Sequence, residues 1–491
     1  MNPGPEMWLA AACGFGGLLV CLALTPWIRS VALRRGILDR ATQFHGTHLI
    51  AVPRIGGLAF AVSFLMLWAG VRMVAPRLQI PMGDRPIAML LTCMAMFGLG
   101  FWDDLHPLRA KVKLVIQLVI ALTAYAGGIH IGHWTNFLTH STQSLGLLDL
   151  PITIFWLVGV TNLINLVDGL DGLAAGVVFI LMALLAILSG ASGHFFLLCL
   201  CVGMAGTLFA FLFFNFPPAK IFMGDGGAYF LGLLVAEVAT VNVNKGTVAM
   251  ALVVPFFALG LPIIDTAFSI FRRSLVGLPI FRADRRHIHH RLVGMGFSQR
   301  RVVLLLYALC AFFFLLAVGV FVGRGRWLPI LIAVFMVVVV ASAHVFGYVQ
   351  NWYRLGHLLT NSVLRRRHTK YALTLASLLE IEGERSESLP ELQEHFGMML
   401  HKLGFQSATL RMGSEEWIWA RPSVSGATGA QRQLVQEIHG PAGGQLLLRA
   451  NAEGWDPETL RLLAELSAEA WSNASARFAI SHGAANPGGL R

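Results

Sequence analysis

Along the first 350 residues, long apolar runs alternate with short polar stretches. The runs lie near residues 7–28, 56–75, 86–101, 112–133, 151–166, 174–190, 194–214, 228–243, 247–270, 302–323 and 327–349. A bilayer core of roughly 30 Å takes about 20 apolar residues per helix, so these eleven runs predict eleven membrane-spanning helices. After residue 349 the runs stop. A basic stretch with Arg354, Arg365, Arg366, Arg367 and Lys370 follows, of the kind that suits an anionic membrane surface. From Glu380 the pattern becomes that of a soluble segment, with fourteen Asp or Glu against nine Lys or Arg. It predicts a helix near 389–403, strands near 405–412, 415–421, 432–439 and 444–450, and a helix near 456–477. The expected fold is an all-α polytopic membrane protein of about eleven transmembrane helices with a small C-terminal cytoplasmic α+β domain. Its parts are a membrane domain over 1–350, a basic linker over 351–379 and a soluble domain over 380–491.

Composition agrees with the pattern: 56% of the 491 residues are hydrophobic and 13% charged, with a mean hydropathy of +0.67. The first run lacks the basic start and small-residue cleavage site of a signal peptide, and is read as a retained helix. All six cysteines fall inside apolar runs, where a thiol behaves as a small hydrophobe, so they suggest neither disulfides nor a metal site.

The net charge of +11 is read as orientation rather than nucleic-acid binding, because the basic residues are unevenly distributed. Loop 29–54 holds five arginines and loop 271–301 eight, whereas 129–150 has no Lys or Arg. The positive-inside rule then places the N-terminus outside and the arginine-rich loops in the cytoplasm.

That topology gathers the polar residues on one face. Asp103 and Asp104, the run Asn162, Asn165, Asp168 and Asp171 in "TNLINLVDGLDGLAAG", Asp225 in "MGDGG", and the cluster Asp284, His287, His289 and His290 all fall on cytoplasmic loops or span ends. A carboxylate in lipid is costly, so acids placed this way face protein or water and point to function. A spacing of three keeps Asn162 to Asp171 on one slowly drifting helical stripe. Carboxylates with amide oxygens are hard ligands of the kind Mg²⁺ or Mn²⁺ accepts. The histidines could hold zinc, but Arg282, Arg285, Arg286 and Arg291 around them favour an anion. A divalent ion, clustered acids and an anion clamp at a lipid boundary suit phosphoryl transfer.

At these motifs the chain resembles the polyprenyl-phosphate N-acetylhexosamine-1-phosphate transferase family, in the superfamily of the phospho-N-acetylmuramoyl-pentapeptide transferase. The resemblance covers roughly residues 10–350. It is carried by "DD" at 103–104 followed by Lys111, by "NLINLVDGLDGLA", by "GDGG" at 224–227 and by "HIHHRL" at 287–292. It implies transfer of a sugar 1-phosphate from a UDP-N-acetylhexosamine to undecaprenyl phosphate in the bacterial inner membrane, releasing UMP. It further implies that Asp225 and Asn165 hold Mg²⁺, that Asp103 and Asp104 stand at the lipid phosphate, and that Asp168 and Asp171 shape the nucleotide side. His287, His289, His290 and Arg291 would contact the diphosphate, with Lys111, Asn162, Arg54 and His48 as further substrate-binding residues. In the first loop, "GTHLIAVPRIGG" keeps His48, Pro53, Arg54, Gly56 and Gly57 but has Gly46 where the family pattern has lysine.

The tail resembles a GAF-type sensory module; a self-associating tail that forms a homodimer is the alternative expectation. Three other functions compete, one of them a sensor whose tail signals through a degenerate membrane anchor. A secondary transporter would place its acids near the midplane rather than at one face. A CDP-alcohol phosphotransferase would need a D-G-x-x-A-R spacing that "DGLDGLAAG" does not meet.

Overall fold

The computed structural model describes residues 4–37, 52–79, 86–135, 142–243, 297–323, 327–345, 352–412, 415–421, 431–438, 444–451 and 456–482. The contacts divide these residues into two units, one ending at 345 and one beginning at 352.

The first unit is helical: α1 (Pro5–Arg35), α2 (Gly57–Val74), α3 (Pro86–Leu105), α4 (Ala110–Ala126), α5 (Asp149–Val167), α6 (Leu173–Ala191), α7 (Phe195–Asn215), α8 (Gly224–Val243), α9 (Gln299–Val322) and α10 (Leu328–Val345). Among the described residues, eight helices are long and apolar enough to cross a membrane. The chain is therefore polytopic, but eight is short of the expected eleven. Three expected runs account for the gap. The run at 112–133 forms the 17-residue α4, the last run yields only the shorter apolar stretch Pro329–Val338, and 247–270 lies outside the described residues.

α8 is the innermost helix, with every side chain from Ala228 to Val238 buried apart from glycine. α3 and α5 pack directly on it. α1 lies along α7, where a Cβ on Gly206 would sit 2.0 Å from the Gly14 carbonyl oxygen. Only a residue without a side chain permits that approach, which is how helices pack in lipid without a hydrophobic drive between them.

Between α4 and α5 the chain forms a two-stranded antiparallel hairpin, β1 (His133–Thr135) and β2 (Thr142–Ser144). It was not expected from the sequence, because three-residue strands are too short to show a period. Here Asp149 is buried, accepting from Gly132 N at 2.7 Å, Thr153 Oγ1 at 3.2 Å and Tyr125 Oη at 3.1 Å.

The second unit holds α11 (Trp352–Arg385), α12 (Leu389–Lys402), β3 (Phe405–Met412), β4 (Glu415–Ala420), β5 (Gln431–Ile438), β6 (Gly444–Asn451) and α13 (Pro457–Ser481). Its strands run within one residue of the expected ranges. They pair antiparallel in the order β4-β3-β6-β5. Leu392, Phe396, Phe405, Leu410, Leu446, Leu448 and Trp471 form its core. The stretch read as a linker over 351–379 belongs to one continuous helix, α11. Ala372, Leu375 and Leu379 sit in that core, and Arg477 of α13 pairs with Glu380 at 3.3 Å and Glu384 at 2.6 Å. Basic composition masked the apolar spacing of three and four that docks this helix.

Candidate active site

Three helix ends and one loop meet at the same end of the first unit. α3 ends in Asp103 and Asp104, α5 ends before Asp168, α8 begins at Gly224, and residues 53–57 lead into α2. Backbone hydrogen bonds fasten the loop to α8: Phe222 N donates to Pro53 O at 2.8 Å, Gly56 N to Phe222 O at 2.9 Å and Gly57 N to Met223 O at 2.9 Å. Gly224 takes φ +70°, a left-handed backbone that glycine adopts without strain, and a Cβ there would also strike the Arg54 carbonyl oxygen. The "GDGG" glycines thus serve close packing as well as the turn.

Asp225 is the node of the cluster. Its Oδ1 accepts from Asn165 Nδ2 at 3.0 Å and its Oδ2 from Lys113 Nζ at 3.3 Å. Lys113 also donates to Asp103 Oδ2 at 2.5 Å, while Asp103 Oδ1 accepts from Leu108 N at 2.7 Å. One ammonium therefore bridges two carboxyl groups that also touch each other, and its charge offsets their repulsion. Asp168 lies in the same field. Burial and the Asp225 charge push its carboxyl well above the usual carboxylate range, with Asp104 and Asp171 adding to the rise and the Arg54 guanidinium opposing it.

The remaining acids expected to be catalytic have structural partners. Asp104 accepts from Asp225 N at 2.8 Å through Oδ1 and from Gly226 N at 2.9 Å through Oδ2. Both oxygens cap α8, a role that suits a carboxylate at a helix N-terminus. Asp104 thereby fixes the residue that carries Asp225. Asp171 accepts from Ala219 N at 2.9 Å, and Gly172 N donates to Asn215 Oδ1 at 3.0 Å. This turn, further held by Tyr307 Oη on the Gly172 carbonyl, is anchored to the 215–221 loop. Arg29 and Arg300 grip the same loop, donating to the carbonyls of Lys220 at 3.1 Å and Pro217 at 2.8 Å.

The stripe expected over Asn162 to Asp171 breaks in two. α5 stops at Val167, Asp168 is its C-cap, and Gly172 at φ +75° starts α6. Asn165 reaches Asp225, whereas Asn162 forms an amide pair with Gln117 of α4, donating at 2.7 Å and accepting at 3.4 Å. The pocket lysine also differs from the one expected. α4 begins at Ala110, so Lys111 and Lys113 point about 200° apart; Lys111 is exposed and Lys113 faces the acids. Sequence spacing alone does not distinguish the two, because the choice depends on where the helix starts. His48, His287, His289, His290 and Arg291 lie outside the described residues.

Among the described residues no group of three or more His, Cys, Asp or Glu is arranged to hold a metal by itself. The donor chemistry nevertheless fits one class of ion. Mg²⁺ takes one or two carboxylates and completes its octahedron with water and phosphate oxygens, and Asp225 is a largely buried carboxylate that keeps some exposure, with Asp168 in its field.

Residues 86–243, which carry α3 through α8 and the acids of this site, match the family description "Glycosyl transferase family 4". The chain is 36% identical over 322 residues to a Bacillus subtilis protein named "Probable undecaprenyl-phosphate N-acetylglucosaminyl 1-phosphate transferase", covering 65% of this chain and 87% of the relative. It is 29% identical over 327 residues to the decaprenyl-phosphate N-acetylglucosaminephosphotransferase of Mycobacterium tuberculosis, covering 60% and 79%. With the phospho-N-acetylmuramoyl-pentapeptide-transferase of Halalkalibacterium halodurans it shares 31% over 306 residues, covering 60% and 90%.

Proposed function

The chain belongs to the polyprenyl-phosphate N-acetylhexosamine-1-phosphate transferases, and on that premise we propose that its donor is a UDP-N-acetylhexosamine and its acceptor undecaprenyl phosphate. It is a membrane enzyme that transfers a hexosamine phosphate to a polyprenyl phosphate. In the proposed reaction a lipid phosphate oxygen attacks the sugar-bearing phosphorus of the donor. The bond from that phosphorus to the bridging oxygen breaks, and UMP leaves with the bridging oxygen. The products are the lipid diphosphosugar and UMP. A phosphate monoester is largely dianionic at neutral pH, so attack requires no base.

The observation that carries this reading is the joining of Asp103, Asp225 and Asn165 around Lys113 at one end of the helices. Two polyanions must meet there, and positioning with neutralisation supplies most of the catalysis in such transfers. Mg²⁺ held by Asp225 with Asn165 at its side would neutralise the donor's phosphate oxygens. The protein's own groups do the rest. Lys113 supplies fixed positive charge between Asp103 and Asp225, and Arg54 offers a second cation beside Asp168. Asp104 and Asp171 hold the helix end and the turn in place. This end is assigned to the cytoplasm, where a UDP-sugar is available, as the first membrane step of a cell-envelope glycan pathway. The region from 380 onward is assigned to the same side.

Purified protein with Mg²⁺, UDP-N-acetylglucosamine and undecaprenyl phosphate should release UMP, and a chelator should stop it. Transport of substrate into vesicles with no UMP formed would instead support the transporter reading. A panel of UDP-sugars identifies the preferred donor.

A further inference from the structure

Beyond Asp225, α8 contains a single carboxyl side chain, Glu237, in "LLVAEVATV". It is fully buried, and it lies twelve residues beyond Asp225, roughly 18 Å deeper along the helix axis. An acid at that depth calls for an explanation.

Both oxygens of Glu237 face α3. Oε1 lies 2.6 Å from Thr92 Oγ1, and Oε2 accepts from Cys93 Sγ at 3.2 Å. Thr92 Oγ1 also donates to the Ala88 carbonyl at 2.8 Å. A hydroxyl has one hydrogen. If Thr92 spends it on Ala88, the 2.6 Å contact requires a hydrogen from Glu237. One arrangement uses every group: Glu237 donates to Thr92, Thr92 donates to Ala88, and the Cys93 thiol donates to the carboxyl's other oxygen. An ionised Glu237 would have only a hydroxyl and a weak thiol donor for a buried charge, which is costly.

α3 and α8 are thus joined at two levels. At the site, Asp104 caps α8 through Asp225 N and Gly226 N; deeper, Glu237 meets Thr92 and Cys93. Twelve residues separate the joints on each helix, from 92 to 104 and from 225 to 237. Two fixed points three turns apart set both the relative depth and the rotation of a helix pair, which one point cannot do.

We propose that Glu237 is a positioning residue that carries a proton and latches α3 to α8, setting the register in which Asp103 and Asp225 meet Lys113. The turnover part rests on the function proposed above; the protonated latch does not.

The test uses the full-length protein. Infrared spectra at pH 8 should contain a protonated-carboxyl carbonyl band that Glu237→Gln removes. Gln keeps one donor and one acceptor, so UMP release by that variant should stay within about twofold of wild type, a margin typical of tolerated substitutions. Glu237→Leu should lower kcat about tenfold, with KM for UDP-N-acetylglucosamine within about twofold, because misplacement of the reacting groups acts on turnover. Thr92→Val, which leaves no charge behind, should lower kcat in the same sense. Absence of the band overturns the latch, as does a Gln variant as impaired as Leu, or wild-type kcat in both Glu237→Leu and Thr92→Val. A wild-type chain that releases no UMP overturns the proposed function, and the infrared result still decides the latch.

Discussion

The two ends of α5 each carry buried carboxylates, roughly 28 Å apart along the axis, and the two clusters are built on opposite terms. At the Asp149 end one carboxylate is surrounded by donors from Gly132, Thr153 and Tyr125, with His130 Nδ1 at 3.1 Å. At the Asp225 end four carboxylates, Asp103, Asp104, Asp168 and Asp225, share two cations, Lys113 and Arg54, among the described residues. A saturated acid holds a hairpin to a helix; acids that crowd together and outnumber their described cations are where the proposed Mg²⁺ and phosphate ligands would fit. The same rule sorts the acids within the site. Asp104 and Asp171 spend oxygens on backbone amides, while Asp225 accepts from the side chains of Asn165 and Lys113, which a substrate and its ion can displace.

The comparison breaks most directly at Asp225. Asp225→Asn should cut UMP release on the order of 10³-fold, as expected for loss of a central electrostatic group, with little change in thermal midpoint. An active Asn variant would show that the Asp225 carboxylate has no catalytic use. Lys113→Ala should lower turnover roughly 10²-fold. Lys111→Ala, two residues away on the exposed face, should stay within about twofold. Equal effects of the two would contradict the helix phase of α4.

Asp104→Ala tests a saturated acid within the site. Losing the cap of α8 should cost about 1 kcal/mol in stability. It should also lower kcat about tenfold by displacing Asp225, and denaturation together with UMP assays would separate the two effects. Asp149→Ala sharpens the contrast from the other end. It leaves buried donors unpaired at about 1–3 kcal/mol in stability, while KM for UDP-N-acetylglucosamine should not change. A KM shift at Asp149 would mean that the two ends are coupled through α5.

Much of this protein is legible without coordinates, because the physics that decides it is local or additive. Lipid excludes unpaired backbone, so apolar runs of sufficient length become helices whatever their neighbours do. Acids in such a chain are confined to particular places by cost, which is why "DD", "NLINLVDGLDG" and "GDGG" stand out before any fold is known. The strands of the second unit are equally visible, since alternation and turn residues act over a few positions. Composition misled at α11, where charge density hid a docked helix face.

What only the tertiary structure decided is the partner of each polar atom. Asp104 and Asp103 are adjacent in sequence, yet one caps a helix 121 residues away and the other meets a lysine. Asn162 and Asn165 are three apart, yet one pairs with Gln117 and the other with Asp225. Glu237 sits in a stretch that reads as uniform apolar filling, and its meaning depends on Thr92 and Cys93 lying opposite. Burial cost is a property of the residue and its environment class, so sequence can express it. Hydrogen bonds depend on distance and direction between particular atoms, which exist only once the helices have packed.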